Sequence, residues 1–196
     1  MTATPYEFVA IAGSGTIATG LAAVATTSSS KVVLLVRSEE SANRALAAVE
    51  KASRRIAGAA PELVTTTLDP ADLADANLLV EAIVEDHETK VDLLRRVAEA
   101  APGADLATTT SSLSITDLGR DSGVPERVYG LHVFNPVPTM KLVELIFPDA
   151  LDEAVGERAH DWCHMIEKTA VEVPDTAGFA VNRLLFPYLF DAVRYQ

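Results

Sequence analysis

The sequence predicts an α/β fold with a mostly parallel sheet, on three observations. Short apolar runs alternate with helical patterns of roughly 10–15 residues, the arrangement of βαβ units. One of those runs, Lys31–Val36, is β-branched and continuous, as a strand covered on both faces is. A turn, Gly13-Ser14-Gly15-Thr16-Ile17-Ala18, follows the first apolar run and opens an alanine-rich segment. This G-x-G-x-x-A stands where a dinucleotide-binding unit carries its fingerprint. Together these features specify a Rossmann-type, doubly wound sheet.

The elements follow in order. Phe8–Ala12 is the first strand, and Thr16–Thr27 is compatible with a helix. After Lys31–Val36, Ser38 caps a helix carrying Ala45, Leu46, Val49 and Ile56. Val64–Leu68 is a weak strand and Asn77–Val84 a strong one. His87–Ala101 is amphipathic, with Val91, Leu93, Leu94 and Val97 on one side. Leu106–Thr110 and Val128–Phe134 are further strands, and Lys141–Phe147 partly alternates, as a half-exposed strand does. Leu151–Thr169 reads as a helix, Val171–Val173 as a short strand and Gly178–Gln196 as mostly helical. Leu184, Leu185, Phe186, Tyr188, Leu189, Phe190 and Val193 crowd that last segment, which calls for a covering surface.

Composition sets the class. Sixteen Lys and Arg against 28 Asp and Glu give a net charge of −12, so a nucleic-acid partner is not expected. With 48% hydrophobic and 22% charged residues, the 196-residue chain can bury a sizeable core. Cys163, the single cysteine, excludes an internal disulfide and points to a reducing, cytoplasmic setting. Phe8–Ser30 has no charged side chain, but Gly13, Gly15, Gly20 and the Ser28-Ser29-Ser30 run interrupt it, and no membrane span is expected. The first charged side chain is Glu7, so the basic start of a secretory signal is missing.

Three segments carry chemistry. In the glycine turn, Gly13 makes the tight bend, Gly15 lets the backbone approach a pyrophosphate, and Ala18 permits close helix–strand packing. At the end of the second strand, an acid would hold the ribose 2′-hydroxyl of NAD, yet Val36-Arg37-Ser38 stands there. Valine cannot accept that hydrogen bond, whereas arginine pairs with a 2′-phosphate, so the cofactor is NAD or NADP with the residues favouring NADP. The third segment is Gly130-Leu131-His132-Val133-Phe134-Asn135-Pro136-Val137-Pro138, beside Thr110-Ser111-Ser112-Leu113, Glu144 and Asp175–Arg183.

Here the chain resembles the 3-hydroxyacyl-CoA dehydrogenase family. The resemblance runs from the fingerprint through Val80–Glu85 with Lys90, the Ser-Ser-Leu turn, the Gly130–Pro138 block, Met140–Glu144 and Gly178–Arg183. It implies a Rossmann domain over residues 1–177 and, from 178 to 196, the first helix of a helical dimerisation domain that is otherwise missing. It further implies His132 as catalytic base, Glu144 as its acidic partner, and Ser111 and Asn182 as groups that hold the substrate oxygen. Gly13, Ser14, Gly15, Thr16, Ile17, Arg37 and Ala82 fall on the cofactor side, with Glu85, Lys90 and Asn135 near the nicotinamide ribose. The implied substrate is an acyl-CoA, the implied assembly a homodimer.

The chain departs from the family's pattern at Val36-Arg37 and at Thr108-Thr109-Thr110, where an asparagine is common. The stretch between Arg37 and Val80 is short, which leaves open an acyl group bound to a carrier protein. Lys51, Arg54 and Arg55 there read as a solvated helix face. Two functional readings stand: an active NAD(P)-dependent dehydrogenase, and a non-catalytic dinucleotide-binding or structural relative. His160, Cys163 and His164 fall within about one helical turn, but lack the acid of the zinc-protease motif and a third ligand, so no metal is expected. Cys163 reads as a small buried hydrophobe.

Overall fold

The computed structural model describes residues 5–29 and 31–195. The first four residues of the expected dinucleotide-binding domain, Ser30 of the serine run and Gln196 of the expected last helix lie outside the described residues. Eight strands form one sheet: β1 (Phe8–Ala12), β2 (Lys31–Leu35), β3 (Val64–Thr67), β4 (Leu78–Glu81), β5 (Asp105–Thr108), β6 (Val128–Val133), β7 (Leu142–Ile146) and β8 (Thr169–Glu172). Their order is β3-β2-β1-β4-β5-β6-β7-β8. All neighbouring pairs are parallel except β6 and β7, so the expected doubly wound sheet is present. The strand order reverses between β1 and β4, which opens a crevice at the carboxyl ends of those strands.

Six helices accompany the sheet: α1 (Thr16–Ala25), α2 (Glu39–Ser53), α3 (His87–Ala100), α4 (Ile115–Ser122), α5 (Glu153–Met165) and α6 (Val181–Arg194). One apolar cluster joins α1, α2 and α5 to one face of the sheet, and a second joins α3 and α4 to the other. Apolar side chains at every position of β1 are therefore buried, which explains the continuous runs. The small side chains of Ala18–Ala25 are all buried and let α1 lie against the strands.

Local chemistry sets the boundaries. Ser38 Oγ accepts from the Ser41 amide and the Ser38 amide donates to Ser41 Oγ, a capping box. Asp86, Ser114 and Asp152 cap α3, α4 and α5 more simply, each side chain accepting one first-turn amide. Two expected boundaries move. The helix after Ser38 ends at Ser53, short of Ile56, because Arg55 and Ile56 close i→i−3 turns before Gly58 takes a φ of +77°. Residues 151–169 hold a shorter helix, α5, because Glu167 turns left-handed at φ +57° and releases the chain into β8 two residues before the expected strand.

The body is pinned by a buried polar group. Asp105 accepts Tyr6 OH at 2.6 Å and a bidentate pair from Arg158 at 2.7 and 2.8 Å. Burial pushes the Tyr6 hydroxyl well above the ordinary phenol value, so it stays a donor. Cys163 is buried and its thiol is pushed up to about 12, an inert packing group. Among the described residues, no group of three or more His, Cys, Asp or Glu is placed to hold a metal. No described helix is long and apolar enough to cross a membrane.

Candidate active site

A cleft of about 1680 Å³ lies where the strand order reverses. Gly13, Ser14, Gly15, Thr16 and Ile17 form its floor, with Arg37, Ala82, Glu85, Ser111 and Asn182 on its walls. Arg183, Phe186 and Pro187 of α6 line the opposite side. These are ten of the fourteen residues singled out in the sequence. His132 and Glu144 sit in the sheet behind the cleft, and Lys90 and Asn135 do not line it.

The glycine turn leaves its backbone open to the cleft. Gly13 has a φ of +140°, and a Cβ there would come within 2.4 Å of the Ala82 carbonyl oxygen. A Cβ on Gly15 would meet nothing within 4 Å, so the space above it is open. Gly15 is also the N-cap of α1 and supplies no side-chain cap, unlike the residues that start α2 to α5. The first-turn amides of α1 are thus left for a group in the cleft. Nearby, Val36 is buried and Arg37 is exposed, with no ion pair among the described residues.

His132 and Glu144 are cross-strand partners in the antiparallel β6–β7 ladder. That register puts their side chains together, and His132 Nδ1 lies 2.6 Å from Glu144 Oε2. Both are buried. Among the described residues, His132 Nε2 takes no hydrogen-bond partner. The ring is flanked by Phe134 at 4.8 Å and Phe179 at 5.2 Å between centroids. Glu144 Oε1 accepts the amides of Ala180 and Val181 at 3.0 and 2.8 Å.

Glu85 organises the Ser111 turn. Its Oε1 accepts Thr110 Oγ1 at 2.6 Å and the Ser111 and Ser112 amides at 2.8 and 3.1 Å. Burial alone would raise this carboxyl, but the hydrogen bonds from Thr110 and Ser111, with nearby Lys90, hold it below its ordinary value. Ser111 and Asn182 line the cleft, and among the described residues neither Ser111 Oγ nor the Asn182 side-chain amide has a hydrogen bond. Lys90 packs behind Glu85. Its side chain is 1% exposed, with Nζ 2.6 Å from Glu81 Oε1 and 3.4 Å from Glu85 Oε2. Two carboxylates draw the ammonium inward, so it braces Glu85 from behind. Asn135 is exposed in the loop after β6.

Sequence reasoning missed Glu81, which is fully buried and also accepts Thr108 Oγ1 at 2.6 Å and the Ile83 amide at 2.8 Å. Its signal was a lone acid inside the apolar run Leu78–Val84. It missed Asp175 too, which accepts the Ile115 and Thr116 amides at 3.1 and 2.8 Å and fastens the approach to α6 onto the start of α4.

Residues 8–176 match the family model described as the NAD binding domain of 3-hydroxyacyl-CoA dehydrogenase. The chain belongs to the 3-hydroxyacyl-CoA dehydrogenase family. It is similar to the mitochondrial hydroxyacyl-coenzyme A dehydrogenase of Rattus norvegicus, with 37% identity over 205 residues. That alignment covers 96% of this chain and 65% of the rat protein, so the chain spans about two thirds of its relative. A 3-hydroxybutyryl-CoA dehydrogenase of Mycobacterium tuberculosis is 35% identical over 199 residues, covering 95% of this chain and 70% of that protein. The crystal structure of M. tuberculosis FadB2 superposes with a TM-score of 0.90 at 32% identity, over 96% of this family member and 71% of that chain.

Proposed function

We propose that this chain binds a nicotinamide dinucleotide and interconverts 3-hydroxyacyl and 3-oxoacyl thioesters, with His132 as the general acid–base. The buried His132–Glu144 pair, 2.6 Å apart behind a cleft with a dinucleotide turn at its floor, carries this reading. The donor set fits the cofactor: the Gly13–Ile17 turn and the open amides of α1 would hold its pyrophosphate. When bound, the nicotinamide accepts or returns the hydride exchanged at C3 of the acyl group.

The protein's own groups handle the proton and the charge. Neutral His132 takes the hydroxyl proton at Nε2 during oxidation, and the protonated ring gives it back during reduction. Glu144 on Nδ1 fixes that tautomer and stabilises the charged ring. Ser111 Oγ and the Asn182 amide donate to the substrate oxygen as negative charge gathers there. Phe134 and Phe179 keep water from the flanks of the ring.

Arg37, exposed and unpaired beside Val36, supplies the charge for a 2′-phosphate and supports NADP alongside NAD. The acyl group arrives on coenzyme A or on a carrier protein, and the functional unit is a cytoplasmic homodimer. The test is reduction of acetoacetyl-CoA followed at the nicotinamide absorbance, with NADH and NADPH side by side. Turnover with either is expected, faster with NADPH if Arg37 meets the phosphate. No turnover with either, while dinucleotide still binds, contradicts the dehydrogenase reading for this thioester.

A further inference from the structure

The first amides of a helix have no acceptor within the helix, and α6 has no side-chain cap of its own. Its acceptor comes from 36 residues back in the chain. Glu144, on β7, takes the Ala180 and Val181 amides on one oxygen while the other oxygen meets His132 Nδ1. A single buried carboxylate therefore terminates a helix and orients an imidazole at once. The turn that aims those amides is made by two successive left-handed residues, Gly178 at φ +77° and Phe179 at φ +48°. The second is a bulky residue, for which this conformation is uncommon and must be held by its surroundings. Packing holds it: Phe179 is 2% exposed and its ring packs on His132.

We propose that the Gly178–Val181 lead-in is the positioning device of the acid–base pair. Its two amides fix one oxygen of Glu144 so that the other is aimed at His132, and the Phe179 ring holds the imidazole against Phe134. This rests on the reading of His132 as the proton carrier. These are positioning residues: none of them exchanges a proton or a hydride. The consequence is that the pair is assembled only when the segment leading into the last helix is seated on the sheet.

The test reads the pair directly in the ligand-free 196-residue chain. The ring N–H proton of a histidine bonded this closely to a buried carboxylate resonates far downfield, and His132→Ala assigns the signal by its loss. Gly178→Asn and Gly178→Val add the same Cβ, which meets the Arg183 amide nitrogen at 3.3 Å and Asn182 Cβ at 3.4 Å. They differ in that asparagine takes the left-handed region readily and a β-branched residue does not. The expected result is that Gly178→Asn keeps the downfield signal and Gly178→Val loses it while its far-ultraviolet circular dichroism is unchanged. An unchanged signal in folded Gly178→Val overturns the proposal. Hydrogen exchange in the unaltered chain decides independently if Gly178→Val does not fold. The Ala180 and Val181 amides should be protected well beyond the neighbouring exposed turns, and free exchange at both overturns the proposal. Neither readout needs turnover, so an inactive chain with the signal and protection intact would count against the dehydrogenase reading alone.

Discussion

Glu144 accepts from two directions, and a glutamine of the same shape cannot. Its amide has one acceptor oxygen, so either His132 Nδ1–H or the Ala180 and Val181 amides would face an NH2 group. Glu144→Gln is therefore expected to lower kcat by about 100-fold or more and to cost about 1–3 kcal/mol of stability through the unsatisfied donors. Steady-state kinetics and denaturant unfolding of the same preparation check both, and a near-normal kcat contradicts the assignment. At this scale the sequence carried His132 and Glu144 through their motifs, because a histidine and a glutamate on neighbouring strands need only the right register to meet. It did not carry Phe179, since nothing in a phenylalanine announces a left-handed backbone. Nor did it carry the pairing of Lys90 with the buried Glu81, which only the fold brings together.

Two loops that shape the cleft are tied by carboxylates rather than by their own residues. Glu85 holds the Thr110–Ser112 turn, and Asp175 holds the start of α4 through Ser114, Ile115 and Thr116. Burial would raise Asp175 as it would Glu85, yet in both the hydrogen bonds win and the folded value lies below the ordinary one. A carboxyl depressed in this way stabilises the fold in full above its unfolded value, about 4. That contribution is lost as pH falls from there through the lower folded values. The expected outcome is that the amides of Ser111, Ser112 and Thr116 keep their protection at neutral pH and lose it below about pH 4, before the β1–β4 core opens. Hydrogen exchange across a pH series measures this, and loss of protection on raising the pH toward neutrality would contradict it. The helices with side-chain caps and the buried strands were legible, since capping residues and continuous apolar runs are local signals. The early ends of α2 and α5 were not, because they depend on 3-10 turns and on a left-handed glutamate.

The strand order and the cleft at its reversal follow from alternating strands and helices with a glycine turn after the first strand. The expected division at residue 177 falls in a segment that the structure ties to the body, with Phe179 in the core cluster of the second sheet face. Beyond it, α6 has no buried residue: Leu184 is 76% exposed and Phe190 64%. An apolar helix this open is expected to self-associate, as the proposed homodimer requires. Light scattering over a concentration series should show a mass above that of one chain, and a monomer throughout contradicts the proposed assembly.

The central claim is that His132 moves the proton in a nicotinamide-dependent reaction at this cleft. The most direct measurement compares acetoacetyl-CoA reduction by the unaltered chain and by His132→Ala, with dinucleotide binding followed by calorimetry on the same samples. Turnover is expected in the first, a loss of about 100-fold or more in the second, and the same dinucleotide affinity in both. Turnover that survives His132→Ala with affinity unchanged would contradict that claim.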